Sequence, residues 1–204
     1  MMAIETSRTT QPVTENPRGG AMGTWGMWLG IIVQLMFTAG LATAALYLET
    51  NQPEWPPEGL EVPGRGWAWL SVALAAAGSA ATTWALTRMR AGSRRQAALN
   101  LAWGGAAYTG SIVALVVDLG AAGFRWDEHA YTSAYWSLTG FVITYLAIGA
   151  MMIGAVLVQT MTGVVDEHRH LELSNTAGYV WVAFGTSAAL LALVHYLPAV
   201  GGGG

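Results

Sequence analysis

Four histidines are the side chains best suited to bind a metal or a haem iron in this chain, which has no cysteine. The missing cysteines exclude disulfides, thiol catalysis and iron–sulfur ligation. Haem ligation by two histidines needs both at the same depth in two membrane spans. His195 has no such partner, since His129 lies just outside a span and the other two share a loop. We therefore predict no catalytic, cofactor-binding or metal-binding residue in this chain.

The densest polar cluster is residues 166–172, where two histidines lie among carboxylates. Imidazole and carboxylate are the ligand types of Zn²⁺ and related divalent ions. His168 and His170 are only two positions apart, however, so they do not share a helix face. We interpret this segment as a short solvated connector rather than as a metal site.

Gln34 and Asp118 fall within or beside otherwise apolar stretches, and each is a candidate intramembrane polar contact. A charge inside a membrane is costly, so it is a functional hypothesis by default. Asp118 has two interpretations: a proton or ion site, or an interfacial acid that reaches lipid headgroups or pairs locally, with Arg125 not far beyond it. Gln34 lies in mid-span and can form a hydrogen bond to another helix, for packing or for function.

The chain contains five long uncharged stretches, with Gln34 inside the first and Asp118 directly after the third. The chain is 53% hydrophobic and 10% charged, against roughly 25% charged residues in soluble domains. Each stretch supplies the roughly 20 apolar residues that a membrane helix needs, without the alternation of barrel strands. We predict an all-α integral membrane protein, a bundle of five transmembrane helices over residues 23–200. The predicted spans are 23–48, 67–88, 97–119, 132–164 and 174–197.

The two ends of the chain are predicted to lie outside the bundle. Residues 1–22 are polar and contain two prolines, so we interpret them as a flexible tail. Residues 201–204 are a glycine tail. Within the bundle, small residues four positions apart allow close helix packing. The candidate pairs are Ala77 and Ala81, Ala106 and Gly110, and Ala150 and Gly154.

The arginines predict the orientation of the bundle. One side would carry Arg8, Arg18, Arg88, Arg90, Arg94, Arg95 and Arg169, and the other only Arg65 and Arg125. By the positive-inside rule the N-terminus is cytoplasmic and the C-terminus is outside. The arginines at 88, 90, 94 and 95 are also candidate contacts for anionic lipid headgroups, as an alternative to a role in topology alone. The charges form no basic stripe, so we expect no nucleic-acid partner.

Two parts of the chain carry a pattern that is typical of one protein family. The first reads GMWL at residues 26–29, LMF at 35–37 and AGL at 39–41, and a WPP run follows it. The second, residues 130–141, reads AYTSAYWSLTGF. They resemble the first and fourth helices of the short, five-helix form of subunit III of haem-copper (cytochrome c) oxidases. The residues at family-motif positions are Trp28, Trp55, Pro56, Pro57, Tyr131, Gly140 and, at the start of the last helix, Tyr179.

The chain also departs from the family pattern, which marks it as a divergent member. Polar residues of the family are replaced in the first, fourth and fifth helices. Asp118 aligns with a family glutamate that precedes a tyrosine. The replacing residues are Gln34 for a carboxylate, Val142 and Tyr145 for two histidines, and Trp181 and Phe184 for a histidine and an aspartate.

The resemblance implies a non-catalytic accessory subunit of a respiratory haem-copper terminal oxidase, a proton-translocating oxidoreductase of aerobic electron transport. Such a subunit stabilises subunit I, holds phospholipid in a cleft between helices and supports proton uptake. Haem and copper are expected in the partner subunits of the respiratory complex, and none in this chain. The implied location is the bacterial inner (plasma) membrane, as a multi-pass protein surrounded by lipid.

Two other functions stay open at this point. A subunit III-like accessory protein of another complex, such as a nitric oxide reductase, is one, because the family's polar residues are missing. A small membrane transporter is the other. It would require a polar pathway, broken helices or rings of charge. The spans offer only Gln34 with serines and threonines.

Overall fold

The fold is a bundle of five helices. The computed structural model describes residues 17–52, 54–57, 60, 64–165 and 170–201, with side chains from Met22 to His195 within these ranges. Every helix is long and apolar enough to span a membrane, and the described residues contain no strand. The prediction of an all-α, multi-pass membrane protein is therefore confirmed. The helices are α1 (Pro17–Asn51), α2 (Gly66–Arg90), α3 (Arg94–Ala121), α4 (Ala130–Thr162) and α5 (Leu171–Gly201).

Every helix boundary differs from its predicted position by one to six residues, and two of the differences have a local cause. Helix α1 begins at Pro17, inside the segment interpreted as a tail. Proline suits the first turn of a helix because its missing N–H would have no partner there. Helix α4 ends at Thr162 rather than near residue 164, because Gly163 adopts a left-handed conformation with φ of 84° that ends the helix. The first 16 residues, residues 166–169 and residues 202–204 lie outside the described part.

Successive helices run in opposite directions. Helices α1, α3 and α5 end at the side that holds the connections 52–65 and 122–129, which we call the distal end. The connections 91–93 and 163–170 lie at the opposite, proximal end. Helices α2, α3, α4 and α5 pack side by side, while α1 lies at the edge on α5 and, more lightly, on α4.

One side chain, Tyr108 of α3, joins the four packed helices. A Cβ atom added to Gly78 of α2 would lie 2.5 Å from its ring, and one added to Gly149 of α4 would lie 2.7 Å from it. Its hydroxyl donates a hydrogen bond to the carbonyl oxygen of Val180 in α5, at 2.6 Å. The helices approach this closely because glycine leaves room for the tyrosine ring.

The small-residue pairs expected from spacing do not make these approaches. Ala77 is exposed, and a Cβ added to Gly154 would meet nothing within 4 Å. The close contact instead joins Gly78 and Gly104, where a Cβ on Gly104 would lie 2.9 Å from the Thr82 hydroxyl. The closest approach therefore lies at residues that the spacing did not identify, because spacing along a helix does not tell which of its sides faces a neighbour.

Candidate functional site

A cleft separates α1 from α4 and α5. Its volume is about 430 Å³, within the roughly 300–1,000 Å³ typical of ligand pockets. The polar residues in its wall are Gln34, Thr144, Tyr145 and Tyr179. The remaining wall is apolar, so the cleft suits a hydrocarbon chain. Its apolar residues are Met27, Gly30, Val33, Phe37, Phe141, Ile148 and Met152.

The two segments of the family pattern meet at two levels, in mid-span and at the distal end. Phe37 of α1 stacks on Phe141 of α4, with ring centroids 6.2 Å apart. Trp55, in the connection after α1, meets Tyr131 of α4 edge to face at 5.3 Å. Pro56 is partly buried beside Trp55. The two segments that resemble one family are thus in contact with each other in the folded chain.

A hydrogen bond ties α1 to α5 in mid-span. Gln34, 6% exposed, donates from Nε2 to the hydroxyl oxygen of Thr186 at 3.0 Å. The Thr186 hydroxyl also lies 2.9 Å from the carbonyl oxygen of Val182 in its own helix. A hydrogen bond of this kind between membrane helices contributes about 0.6 kcal/mol. The amide therefore positions one wall of the cleft without placing a charge there.

Tyr145 stands in the cleft wall where the family pattern has a histidine. Its hydroxyl is buried and has no hydrogen-bond partner among the described residues. The Tyr179 hydroxyl donates to the carbonyl oxygen of Tyr145 at 3.4 Å, which links α5 to α4. Together with Gln34, these phenols make one side of the cleft weakly polar and uncharged.

Asp118 lies in the interior of the bundle, 2% exposed, near the distal end. Tyr135 of α4 donates a hydrogen bond to its Oδ2 at 2.5 Å, and Nε2 of His195 lies 3.9 Å from the same oxygen. Arg125 pairs instead with Asp127, at 3.3 Å. This burial leaves no surface for a lipid headgroup. Asp118 does pair locally, but with Tyr135 and His195 rather than with Arg125. The association with His195 was missed, although both residues lie near distal helix ends.

The four arginines at the proximal end have different surroundings. Arg94 donates from Nε and Nη2 to the carbonyl oxygens of Thr160 and Met161, each at 2.6 Å, and so caps the end of α4. Arg88 lies over the ring of Trp84, 5.8 Å from its centroid, beside a shallow groove of about 230 Å³. Arg90 and Arg95 are exposed. All four residues are exposed, and Arg94 in addition has a structural role.

The remaining site predictions concern metals and the connector before α5. Among the described residues, no three His, Cys, Asp or Glu side chains are close enough together to hold a metal ion. Residues 166–169, with His168 of the polar cluster, lie outside that part of the chain. The interpretation of this segment as a connector therefore stays a prediction.

Of the other family-pattern residues, Trp28 is 52% exposed on α1, and Gly140 has open space where a Cβ would lie.

Comparison with known proteins adds no relative. No protein-family model and no curated protein matches this sequence. The resemblance to oxidase subunit III therefore stays a prediction drawn from the residues themselves. What the structure adds is that some of these residues, among them Phe37, Phe141 and Tyr179, line a cleft in a five-helix bundle.

Proposed function

We propose that this chain is a non-catalytic accessory subunit of a respiratory haem-copper terminal oxidase, in the place of subunit III. It packs against subunit I and other subunits of the complex, which carry the haem and copper. It holds phospholipid and supports proton uptake during aerobic electron transport. Its N-terminus is cytoplasmic and its C-terminus lies outside, in a bacterial inner membrane.

The meeting of the two family-pattern segments is the observation that carries this proposal. They lie about 90 residues apart in the chain and make ring contacts at Phe37 with Phe141 and at Trp55 with Tyr131. A chance likeness in two unrelated stretches of an apolar sequence would not require them to be neighbours. If the pattern describes one packed unit, however, the two stretches must be neighbours.

The cleft supports the lipid-holding part of the proposal. Its wall is mostly hydrocarbon, and its few polar groups are uncharged. An acyl chain loses no hydrogen bonds on entering such a cleft, and it fills a space that α1 leaves open. Accessible Arg88, Arg90 and Arg95 offer positive charge to anionic headgroups at the proximal end, each worth about 1 kcal/mol near such a surface.

A pair of glycines in α1 gives a matched test in the intact complex. Gly30 lines the cleft and Gly40 does not, and a Cβ at either position meets nothing within 4 Å. Gly30→Phe should fill the cleft, so native mass spectrometry should detect fewer bound phospholipids and oxidase turnover should decline sooner. Gly40→Phe should retain both lipid and turnover. Equal lipid content in the two variants would remove the lipid-holding part of the proposal.

The proposed orientation can be tested separately, because the chain has no cysteine of its own. Ser93→Cys at the proximal end and Asp127→Cys at the distal end each provide one labelling site. A membrane-impermeant thiol reagent added to intact cells should label only the Asp127→Cys variant. Labelling of Ser93→Cys alone would reverse the orientation and contradict the placement of both termini.

A second candidate is the accessory subunit of a nitric oxide reductase. The observation that favours it is the uncharged cleft, where Gln34 and Tyr145 replace a carboxylate and a histidine of the oxidase pattern. The identity of the catalytic subunit that co-purifies with this chain separates the two candidates. We find no polar conduit among the described residues that would favour a transporter.

A further inference from the structure

Three helices bring ionisable side chains together near the distal end. Asp118 of α3 and His195 of α5 are each 2% exposed, and Tyr135 of α4 is 1% exposed. Burial of a carboxylate is unfavourable unless hydrogen bonds or an opposite charge compensate it. The proposed accessory function requires none of these three side chains, so the cluster calls for its own explanation.

The hydrogen bonds of the cluster are incomplete. Tyr135 supplies one donor to Asp118, although a carboxylate accepts several hydrogen bonds. Neither ring nitrogen of His195 has a hydrogen-bond partner among the described residues, and the Tyr131 hydroxyl has none either. Nε2 of His195 lies 3.9 Å from Asp118 Oδ2, within the range of an ion pair. The two groups are therefore close enough for the charge of each to depend on the proton of the other.

A small void lies beside the cluster at the distal end, where Trp55 of the connection after α1 is part of its lining. It holds about 20 Å³, room for one water molecule, and is also lined by Tyr131 and Tyr135. Tyr135 thus borders the void and also contacts Asp118. The void therefore offers room for a water molecule next to the residue that donates to the carboxylate.

The charged groups around the pair are few. Arg65, just before α2, interacts electrostatically with His195. Tyr135 of α4 meets the His195 ring edge to face, Tyr131 lies beside Tyr135, and Asp118 is the carboxylate on α3. Helix α1 contributes only apolar Ala45 to the neighbouring void. Asp118 is therefore the acid that we find in contact with His195 in the described part of the chain.

We propose that Asp118 and His195 form a proton-binding site that takes up and releases one shared proton from the distal side. With the proton bound, on Nε2 of His195 or on Oδ2 of Asp118, the pair has no net charge. Without it, the pair carries one negative charge and Tyr135 is the donor to the carboxylate. The exchange consumes nothing except a proton from water. The site goes beyond the proposed accessory function and does not depend on it.

The test follows both groups in the full-length chain as the pH is varied. In a background with His129, His168 and His170 replaced by glutamine, nitrogen NMR reports only on His195, and infrared difference spectra report on the carboxyl group of Asp118. Both signals should change with the same pH midpoint, because one proton is shared. In Asp118→Asn the His195 midpoint should move by roughly one pH unit or more, as expected for loss of a neighbouring opposite charge.

Two further variants keep the test decisive. Asp127→Asn removes an exposed acid at the same end and should leave both midpoints unchanged. His195→Gln should abolish the shared midpoint in the infrared spectra, so it serves if Asp118→Asn does not fold. The proposal is overturned if His195 and Asp118 titrate independently, or if neither responds to pH. It is also overturned if Asp118→Asn and Asp127→Asn give the same His195 midpoint.

Discussion

Helix α1 and the four helices around Tyr108 differ in how they use apolar sequence. The most apolar window of α1 has a mean hydropathy of 1.9 with 17% of its residues buried, whereas that of α2 has 1.3 with 39% buried. Across the bundle, burial does not follow hydropathy, since α4 has a mean hydropathy of 2.4 with 33% buried and α5 has 1.7 with 50% buried. Lipid is as apolar as a side chain, so hydrophobicity does not drive helices together within a membrane. Close packing depends instead on glycines and hydrogen bonds, which α2, α3, α4 and α5 place around Tyr108.

The largest expected effect is at the glycine that faces the Tyr108 ring from α4. Gly149→Ala places a methyl group 2.7 Å from that ring, so the ring and helix must shift. We expect a loss of about 1–3 kcal/mol in the free energy of unfolding, typical of overpacking. Gly154→Ala, on the same helix with open space around it, should cost nothing. Reversible unfolding in mixed micelles measures both, and equal stability of the two variants would contradict the role of Tyr108.

The next effect concerns two buried tyrosines with different hydrogen bonds. Tyr108→Phe removes the donor to Val180 and should cost about 1 kcal/mol, the usual net value of a hydrogen bond. Tyr145→Phe removes a hydroxyl without a partner among the described residues and should be neutral or slightly stabilising. The same unfolding measurement applies. A larger loss in Tyr145→Phe than in Tyr108→Phe would mean that the cleft, rather than the Tyr108 contacts, holds the bundle together.

A third comparison uses adjacent arginines at the proximal end. Arg94→Gln removes the donors to Thr160 and Met161 and should destabilise the end of α4 by about 1 kcal/mol. Arg95→Gln should have little effect, because no hydrogen bond joins that side chain to α4 in the described part of the chain. Hydrogen exchange of the last turn of α4 reports the difference directly. If the two variants exchange at the same rate, Arg94 does not cap α4 in the membrane.

The smallest effect is expected in α1. Gln34→Leu removes the hydrogen bond to Thr186 and should cost about 0.6 kcal/mol. Hydrogen exchange should become faster along α1, while the other four helices keep their rates. Thr43→Val is the control, since the hydroxyl of Thr43 donates only within its own helix and is exposed. Faster exchange throughout the bundle after Gln34→Leu would show that α1 is not a separate unit.

The helices could be predicted from the sequence more fully than their packing. Uncharged apolar runs identify the membrane spans, because the bilayer requires an apolar run in every spanning helix, whichever helices pack beside it. The contact of Gly78 and Gly149 with Tyr108 depends on helix rotation, which an almost uniformly apolar sequence does not reveal. For the same reason the sequence does not show that Asp118 faces Tyr135 and His195 rather than a lipid headgroup or Arg125. The cleft depends on how α1 lies against α4 and α5, and no local pattern encodes that.

Native electrophoresis of gently solubilised membranes, with mass spectrometry of the band that contains this chain, tests the proposed function most directly. The accessory-subunit proposal predicts a large complex in which the chain co-migrates with the haem-copper subunit of a terminal oxidase. A haem absorption spectrum should accompany that band and be absent from the chain purified alone. Recovery of the chain only as a monomer or an oligomer of itself would contradict the proposal.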